Sequence, residues 1–218
     1  MLRNLVIAVS IATLATLAAA AGPGKVEKTA AFSDASAPAA IAPALAPDGY
    51  RLTLYDGSIA DVWLRKSIPT VKANASLSAV YPAVAPSTFL GVIRFHRQAS
   101  DFRGQPIQPG AYAMRYELLP QDGNHMGVAA QPDFVLLVPV SAEPGPDAMP
   151  SFDELMMLSA KATGGAHPAP FSMVPIDAAK GYPSLFYTSD GYVAFAAEAT
   201  TPSGKLPLAL VVKGVAQQ

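Results

Sequence analysis

Hydrophobic and polar residues alternate over several short segments after residue 49, which is typical of β-strands with two different faces. Strand-forming residues flank the turn pair Asp56-Gly57 and predict a hairpin over 50–66. A second hairpin is predicted over 182–198, around the Gly-containing turn 189–191. The alternation in 206–213 predicts a last strand.

Three segments between these hairpins carry further strand patterns. The segment 89–97 alternates, which predicts Phe89, Gly91, Ile93 and Phe95 on one face. The segment 110–118 has the pattern of a half-buried antiparallel strand. Its predicted faces are Tyr112, Met114, Tyr116 and Leu118 on one side, and Ala113, Arg115 and Glu117 on the other. The run 134–138 is continuously apolar and predicts a central strand covered on both faces.

One helix is expected near 151–162. Ser151 followed by Glu154 forms a capping-box signature, and Gly164-Gly165 ends the helical pattern. About seven or eight short strands and one helix predict a mostly-β fold. The expected architecture is an antiparallel β-sandwich, jelly-roll-like or immunoglobulin-like.

The first residues have the composition of a secretory signal peptide. Arg3 precedes an uncharged apolar run that ends in alanines, which predicts a signal over 1–21, cut after Ala20 or Ala21. The alternative is an uncleaved anchor, but the run of about 17 residues is short for a span of about 20. We therefore expect a periplasmic or secreted protein with no stable membrane span after cleavage.

Alanine and proline dominate residues 22–48. Repeated proline prevents regular helix, and alanine offers little surface to bury. The segment is therefore predicted to be a disordered linker, followed by a single β-sandwich domain over 49–216.

Composition excludes several classes of function. The chain has no cysteine, which excludes disulfides, thiolate metal sites and cysteine nucleophiles. Its formal net charge is −1 and no basic run is present, so we expect no nucleic-acid partner.

The densest polar segment is the loop over 121–127. Its Asp122, Asn124, His125 and Met126 are the candidate binding residues, because polar loops on a β scaffold often carry binding sites. The alternative is a structured turn, since Asp-Gly and Asn favour turns.

The three histidines give a second candidate site. His96, His125 and His167 together could hold zinc or copper, and Met126 beside His125 would suit copper. No His-x-His or His-x3-His pair occurs, so the alternative is three separate histidines with ordinary hydrogen bonds.

Catalytic signatures are absent from the sequence: there is no Gly-x-Ser-x-Gly elbow, His-Glu-x-x-His or phosphate-binding glycine loop. A hydrolase using carboxylates, with Asp101 or Asp122, stays open, because sequence cannot show how far apart two acids lie.

Several motifs resemble a family of uncharacterised exported bacterial β-domain proteins. They are a PG-x-Y-x-x-R-Y strand over 109–116, a DGNHMG loop over 122–127 and an SF-x-EL helix over 151–155. The resemblance implies export and a β fold, and it implies no reaction.

The function expected from the sequence is non-catalytic binding of a small molecule, a glycan or an envelope protein. A His-based metal-binding protein is the first alternative, and a carboxylate hydrolase is the second.

Overall fold

The computed structural model describes residues 22–73, 79–119, 131–165 and 167–214. Strands account for 42% and helices for 11% of these residues, so the predicted mostly-β class is confirmed. The strands and α-helices, in chain order, are β1 (Gly24–Thr29), α1 (Ile41–Ala44), β2 (Gly49–Leu54), β3 (Ile59–Leu64), β4 (Phe89–Phe95), β5 (Ala99–Ser100), β6 (Pro106–Ile107), β7 (Gly110–Leu118), β8 (Asp133–Pro139), α2 (Phe152–Thr163), β9 (Pro170–Ser172), β10 (Ser184–Tyr187), β11 (Val193–Thr201) and β12 (Gly204–Lys213). A short 3-10 helix, Val140–Ala142, follows β8.

All strand pairs in the named sheets are antiparallel. The larger sheet has the order β1-β2-β3-β4-β7-β8-β9, the second sheet has the order β10-β11-β12, and β5 pairs with β6 in a small hairpin. Neighbouring strands are therefore consecutive in the chain, apart from the β5–β6 excursion. This order is a meander, whereas jelly-roll and immunoglobulin sandwiches contain Greek-key connections.

The two larger sheets pack face to face and enclose the main hydrophobic core. Val62, Met114 and Val135 of the larger sheet meet Phe195 and Leu210 of the second sheet, and each is at most 7% exposed. Burial of this apolar surface between two sheets is what holds a β-sandwich together.

A seam of hydrogen bonds joins the sheets along one side. Met173 forms a β-bridge with Leu210. The hydroxyl of buried Tyr81 donates to the Val174 carbonyl at 2.6 Å and accepts from the Ala209 amide at 2.9 Å. The carboxylate of Asp133 in turn accepts from the Tyr81 amide at 2.8 Å and from the Tyr116 hydroxyl at 2.6 Å. This network fixes the chain before β4 against both sheets.

The local predictions for the hairpins, the central strand and the helix are confirmed. The hairpins are β2–β3 and β10–β11, and β8 is buried between β7 and β9. The capping box of α2 is present: the Glu154 carboxylate accepts from the Ser151 amide at 2.8 Å, and the Glu154 amide donates back to the Ser151 hydroxyl. Gly164 ends the helix in the left-handed conformation at φ +66°.

The prediction that β7 is half-buried was wrong, because both faces of the larger sheet are covered at this strand. The predicted division of its residues between two faces is correct, since Tyr112 and Met114 point into the inter-sheet core and Ala113 points away from it. On this outer face, α2 and the N-terminal segment cover the sheet with Leu155, Ile41 and other apolar residues. Arg115 and Glu117 are therefore buried at 0% and 4% exposure.

The prediction of a disordered linker over 22–48 was also wrong. β1 pairs with β2 in the larger sheet, and Ile41 and Leu45 are almost fully buried on its outer face. The indole of Trp63 donates to the Ala30 carbonyl at 2.8 Å. The average composition of the segment gave a wrong prediction, because a few buried apolar side chains among the alanines and prolines are enough to hold it against the sheet.

Arg94 of β4 holds the same N-terminal segment in place. Its guanidinium carbon lies 5.3 Å from the ring centroid of Phe32 and 5.4 Å from that of Trp63, within cation–π range. It also donates to the Ser33 carbonyl at 2.8 Å and to the Asp34 carboxylate at 3.0 Å. The ordered fold therefore extends well before residue 49.

The predicted alternation in 89–97 fails at its first residues because β4 contains a bulge. The register with β7 shifts between Phe89 and Gly91, so Phe89 lies on the outer face, whereas Ile93 and Phe95 lie in the inter-sheet core. Gly91 has φ +151°, and a Cβ there would lie 2.1 Å from the Trp63 carbonyl oxygen. Only glycine fits this approach of two strands.

In the described part of the chain, no helix is both long enough and apolar enough to cross a membrane.

We predict that Ile41→Ala lowers the free energy of unfolding by about 2–5 kcal/mol, because it removes a fully buried side chain from a packed face. Urea unfolding measures the change. Val71→Ala, at a side chain that is 53% exposed, is the control and should change it by less than about 0.5 kcal/mol. If Ile41→Ala proved equally mild, residues 22–48 would be a linker after all.

Candidate functional site

The candidate binding loop from the sequence lies outside the described residues. This applies to Asp122, Asn124, His125 and Met126, so the predicted site at this loop stays a prediction.

The two described histidines occupy different parts of the fold. His96 follows β4, His167 precedes β9, and both are exposed. Their strands are three strand spacings apart in the sheet, about 14 Å. Among the described residues, no group of three or more His, Cys, Asp or Glu side chains could hold a metal ion. The zinc or copper hypothesis therefore depends on His125, whose position is not described.

His96 instead belongs to an ion cluster on the outer face. Its Nε2 lies 2.8 Å from the carboxylate of Asp61, which also accepts two hydrogen bonds from Arg51 at 2.7 and 2.9 Å. Burial by itself would raise the pKa of Asp61, but the hydrogen bonds from Arg51 and His96 outweigh it and hold the pKa below its ordinary value. Because Arg51 and His96 occupy the Asp61 carboxylate, we interpret this cluster as a structural contact.

Asp101, a carboxylate candidate for hydrolysis, is fully buried in its own turn. It accepts from the amides of Arg103 at 3.0 Å and Gln105 at 2.8 Å, and from the Gln105 side chain at 2.6 Å. Burial raises its pKa, opposed by the hydrogen bonds from Gln105 and Arg103. A carboxylate enclosed in this way organises the chain between β5 and β6 and cannot reach a substrate.

A concave surface with a mainly apolar lining lies between α2 and the loop over residues 143–150. We call it the methionine groove, and its volume is about 610 Å³. The apolar lining residues are Pro144, Ala148, Met149, Pro150, Met157 and Leu158, and Glu154 and Lys161 add one charge of each sign.

Large apolar side chains of this region are exposed to solvent. Met149 is 55% exposed and Met157 is 65% exposed, and neighbouring Phe152 is 37% exposed. Such clusters of exposed apolar residues mark binding surfaces more often than scattered single residues do. Methionine is common at adaptable binding surfaces because its side chain is flexible and polarizable.

The loop that forms one wall of the groove is fixed by Arg115 from β7. Its guanidinium pairs with Glu143, and neither side chain has any exposed surface. It also donates to the carbonyls of Ser87 at 2.8 Å, Ala148 at 2.6 Å and Gly145 at 2.6 Å. The buried charge is thus satisfied by the loop itself, so the path of the loop follows from the position of Arg115.

Two further side chains hold the same loop from outside. Arg65 donates to the Pro146 carbonyl at 2.7 Å and pairs with Asp147. The Ser87 hydroxyl donates to the Pro150 carbonyl at 2.8 Å. The wall of the methionine groove is therefore preorganised, which reduces the conformational entropy lost on binding.

The chain matches no protein-family model, no curated protein and no solved structure. The resemblance to exported β-domain proteins therefore stays a prediction. Function has to be argued from the geometry of the methionine groove and of the other surfaces.

Sequence reasoning missed this groove, although a signal was present. The buried residues of α2 are Leu155, Ser159 and Ala162, spaced by four and three positions as one helical face requires. Met157 falls on the opposite face, where an apolar residue is unexpected. The second wall carried no such signal, because the partners of Arg115 cannot be deduced from sequence.

Glu117 is a buried carboxyl group on the outer face of β7. Burial raises its pKa to about 7, although the backbone amides of Leu118 and Ser87 favour the charged form. A group with a raised pKa in the folded state keeps its proton between its ordinary value of 4.5 and about 7, whereas the unfolded chain loses it. Ionisation of Glu117 therefore opposes folding in this pH window.

We predict that Arg115→Met lowers the free energy of unfolding by about 3–5 kcal/mol, because it leaves the buried Glu143 carboxylate without its counter-ion and three carbonyls without the guanidinium donor. The double variant Arg115→Met/Glu143→Met should recover part of this loss, since it removes the orphaned charge. Urea unfolding measures both. A loss below about 1 kcal/mol would show that the pair does not organise the loop.

We also predict that the free energy of unfolding declines as pH rises from 4.5 to about 7, with Glu117 contributing up to about 3 kcal/mol of the decline. Urea unfolding across this range measures it. Glu117→Gln should remove this contribution, whereas Glu198→Gln, at an exposed position of β11, should leave it unchanged. Identical pH profiles for all three proteins would contradict the assignment.

Proposed function

We propose that this protein is an exported binding module that holds an apolar polypeptide segment of an envelope partner in the methionine groove. The observation that carries the proposal is that exposed methionine side chains lie beside a loop held in place by the buried Arg115–Glu143 ion pair. Folding does not require large apolar side chains on a surface, and their exposure costs solubility, so their presence favours a binding role.

The open form of the groove favours a polypeptide over a small molecule. Sites for small molecules enclose most of the ligand surface. Met149 and Met157 remain more than half exposed, so the groove would leave a compact ligand largely in water. A polypeptide segment can cover these side chains while the rest of the partner shields the rim.

The charges around the methionine groove favour a bound polypeptide segment that carries an acidic residue. Asp147 is paired with Arg65, and Glu154 is engaged by Ser151 in the capping box. Lys161, in the last turn of α2, has no ion pair with any other described residue. An acidic residue that flanks the apolar part of the segment would therefore meet Lys161.

Export is supported by the N-terminal leader and is compatible with the fold. The backbone amide of Tyr55 donates to the Pro23 carbonyl at 3.1 Å, so residue 23 is already held against the fold. Cleavage after Ala20 or Ala21 would leave the whole described fold intact and place the mature protein in the periplasm or outside the cell.

We predict that random dodecapeptides displayed on phage and selected on the immobilised mature protein converge on an apolar core with a flanking acid. Fluorescence anisotropy then gives the affinity of a selected peptide. Met157→Glu should weaken binding by about tenfold or more, because a charge replaces an apolar side chain in the lining of the groove.

Val71→Glu introduces the same charge at an exposed apolar position outside the groove and is the matched control. It should leave the affinity unchanged. Failure of the selection to converge, or equal affinity of the Met157→Glu protein for the selected peptide, would contradict the proposal.

A further inference from the structure

A second cluster of exposed rings lies on other elements. Tyr55, which follows β2, is 53% exposed, and Tyr187, at the end of β10, is 41% exposed. Their ring centroids are 6.4 Å apart and the ring planes are tilted by 46°. Together with Asp56 and Lys213 these residues form what we call the tyrosine platform.

The tyrosine platform lies where two sheets meet. The larger sheet contributes the turn between β2 and β3, and the second sheet contributes the ends of β10 and β12. Asp56-Gly57 turns the β2–β3 hairpin, and Gly57 has φ +78° as this turn requires. The Asp56 carboxylate accepts from the Ser58 amide at 3.1 Å and the Ser58 hydroxyl at 2.6 Å, which fixes the turn. Lys213, the last residue of β12, forms an ion pair with Asp56 across the junction.

The electrostatics of the platform restrict the kind of ligand. The Lys213 ammonium lies 6.0 Å from the Tyr55 ring centroid, so a cationic ligand would be repelled from that ring. Asp56 stays ionised, because the hydrogen bonds from Lys213 and Ser58 hold its pKa well below the ordinary range. Its negative charge disfavours a polyphosphate backbone, which requires a basic groove.

A small cavity adjoins the platform. Its volume is about 60 Å³. Six of its eleven lining residues are apolar, among them Leu54 and Phe95, and the polar ones are Ser58, Arg97, Gln98, Ser100 and Lys213. This volume accommodates a hydroxyl or a comparably small polar group, and the lining offers both hydrogen-bond donors and acceptors. Exposed rings, a compensated pair of charges and a recess of mixed polar and apolar lining therefore occur side by side.

We propose that the tyrosine platform binds a carbohydrate chain. One face of a pyranose ring is made of C–H groups and suits the apolar face of Tyr55 or Tyr187, while its hydroxyl groups suit Asp56, Lys213 and the recess. A neutral ligand with many hydroxyl groups can stack on the rings and form hydrogen bonds with both charged groups at the same time. The platform is separate from the methionine groove, so this inference does not depend on the proposed function.

The test is an NMR titration of the full mature protein, labelled in its tyrosine rings, with chitohexaose, cellohexaose or maltohexaose. We expect at least one hexasaccharide to shift the ring signals of Tyr55 and Tyr187. Binding of chitohexaose alone identifies an N-acetylated glycan, and binding of the other two identifies a glucan. Tyr55→Ala and Tyr187→Ala should each raise the dissociation constant by about tenfold, the effect of removing one stacking ring.

Matched variants separate stacking from general exposure. Tyr55→Phe keeps the ring and should retain most of the affinity, and Tyr182→Ala removes a ring that is 37% exposed elsewhere and should change nothing. The proposal is overturned if no hexasaccharide shifts these signals, or if isothermal titration calorimetry shows that Tyr55→Ala/Tyr187→Ala binds the hexasaccharide with unchanged affinity. Stronger binding of a thymidine hexanucleotide to the same rings would also overturn it. Failure here would leave peptide binding in the methionine groove untouched.

Discussion

The buried ion pair between Arg115 and Glu143 is the constraint on which the outer side of the larger sheet depends. A guanidinium without solvent contact has to be paired and hydrogen-bonded, because an unpaired charge in the interior is strongly destabilising. Its remaining donors reach the carbonyls of Ser87, Gly145 and Ala148. One charged residue on β7 thereby sets the path of the loop after β8, and the shape of the methionine groove follows from that path.

The same solution recurs at two other places where irregular chain meets the sheets. The chain contains no cysteine, so disulfides cannot hold its long connections in place. Buried and partly buried side chains do so by accepting from or donating to backbone groups. Asp133 and Tyr81 secure the chain before β4, and Trp63 and Arg94 secure the N-terminal segment. Because every buried backbone polar group needs a partner, these contacts determine where each connection lies.

Rigid connections are also what allow the surface to carry exposed apolar side chains. Met149 and Met157 project from a loop and a helix that are each anchored to the larger sheet, and Tyr55 projects from a turn held by Asp56. The backbone positions of these residues are therefore held by the fold, which would reduce the conformational entropy lost on binding a ligand. The two surfaces differ in chemistry: one is apolar and carries Lys161, which has no ion pair with another described residue, and the other combines rings with a compensated pair of charges.

The sequence by itself determined the local structure of this protein: the hairpins β2–β3 and β10–β11, the central strand β8 and the capped helix α2. Turn residues, caps and alternation act over a few neighbouring positions, and each can be read without knowing the partner. Tertiary structure alone decided that Ile41 and Leu45 pack on a sheet, that β4 bulges at Gly91, and that Met157 faces a groove. These outcomes depend on residues distant in the chain that pair, fill space or carry opposite charge, and one-dimensional patterns do not contain that information.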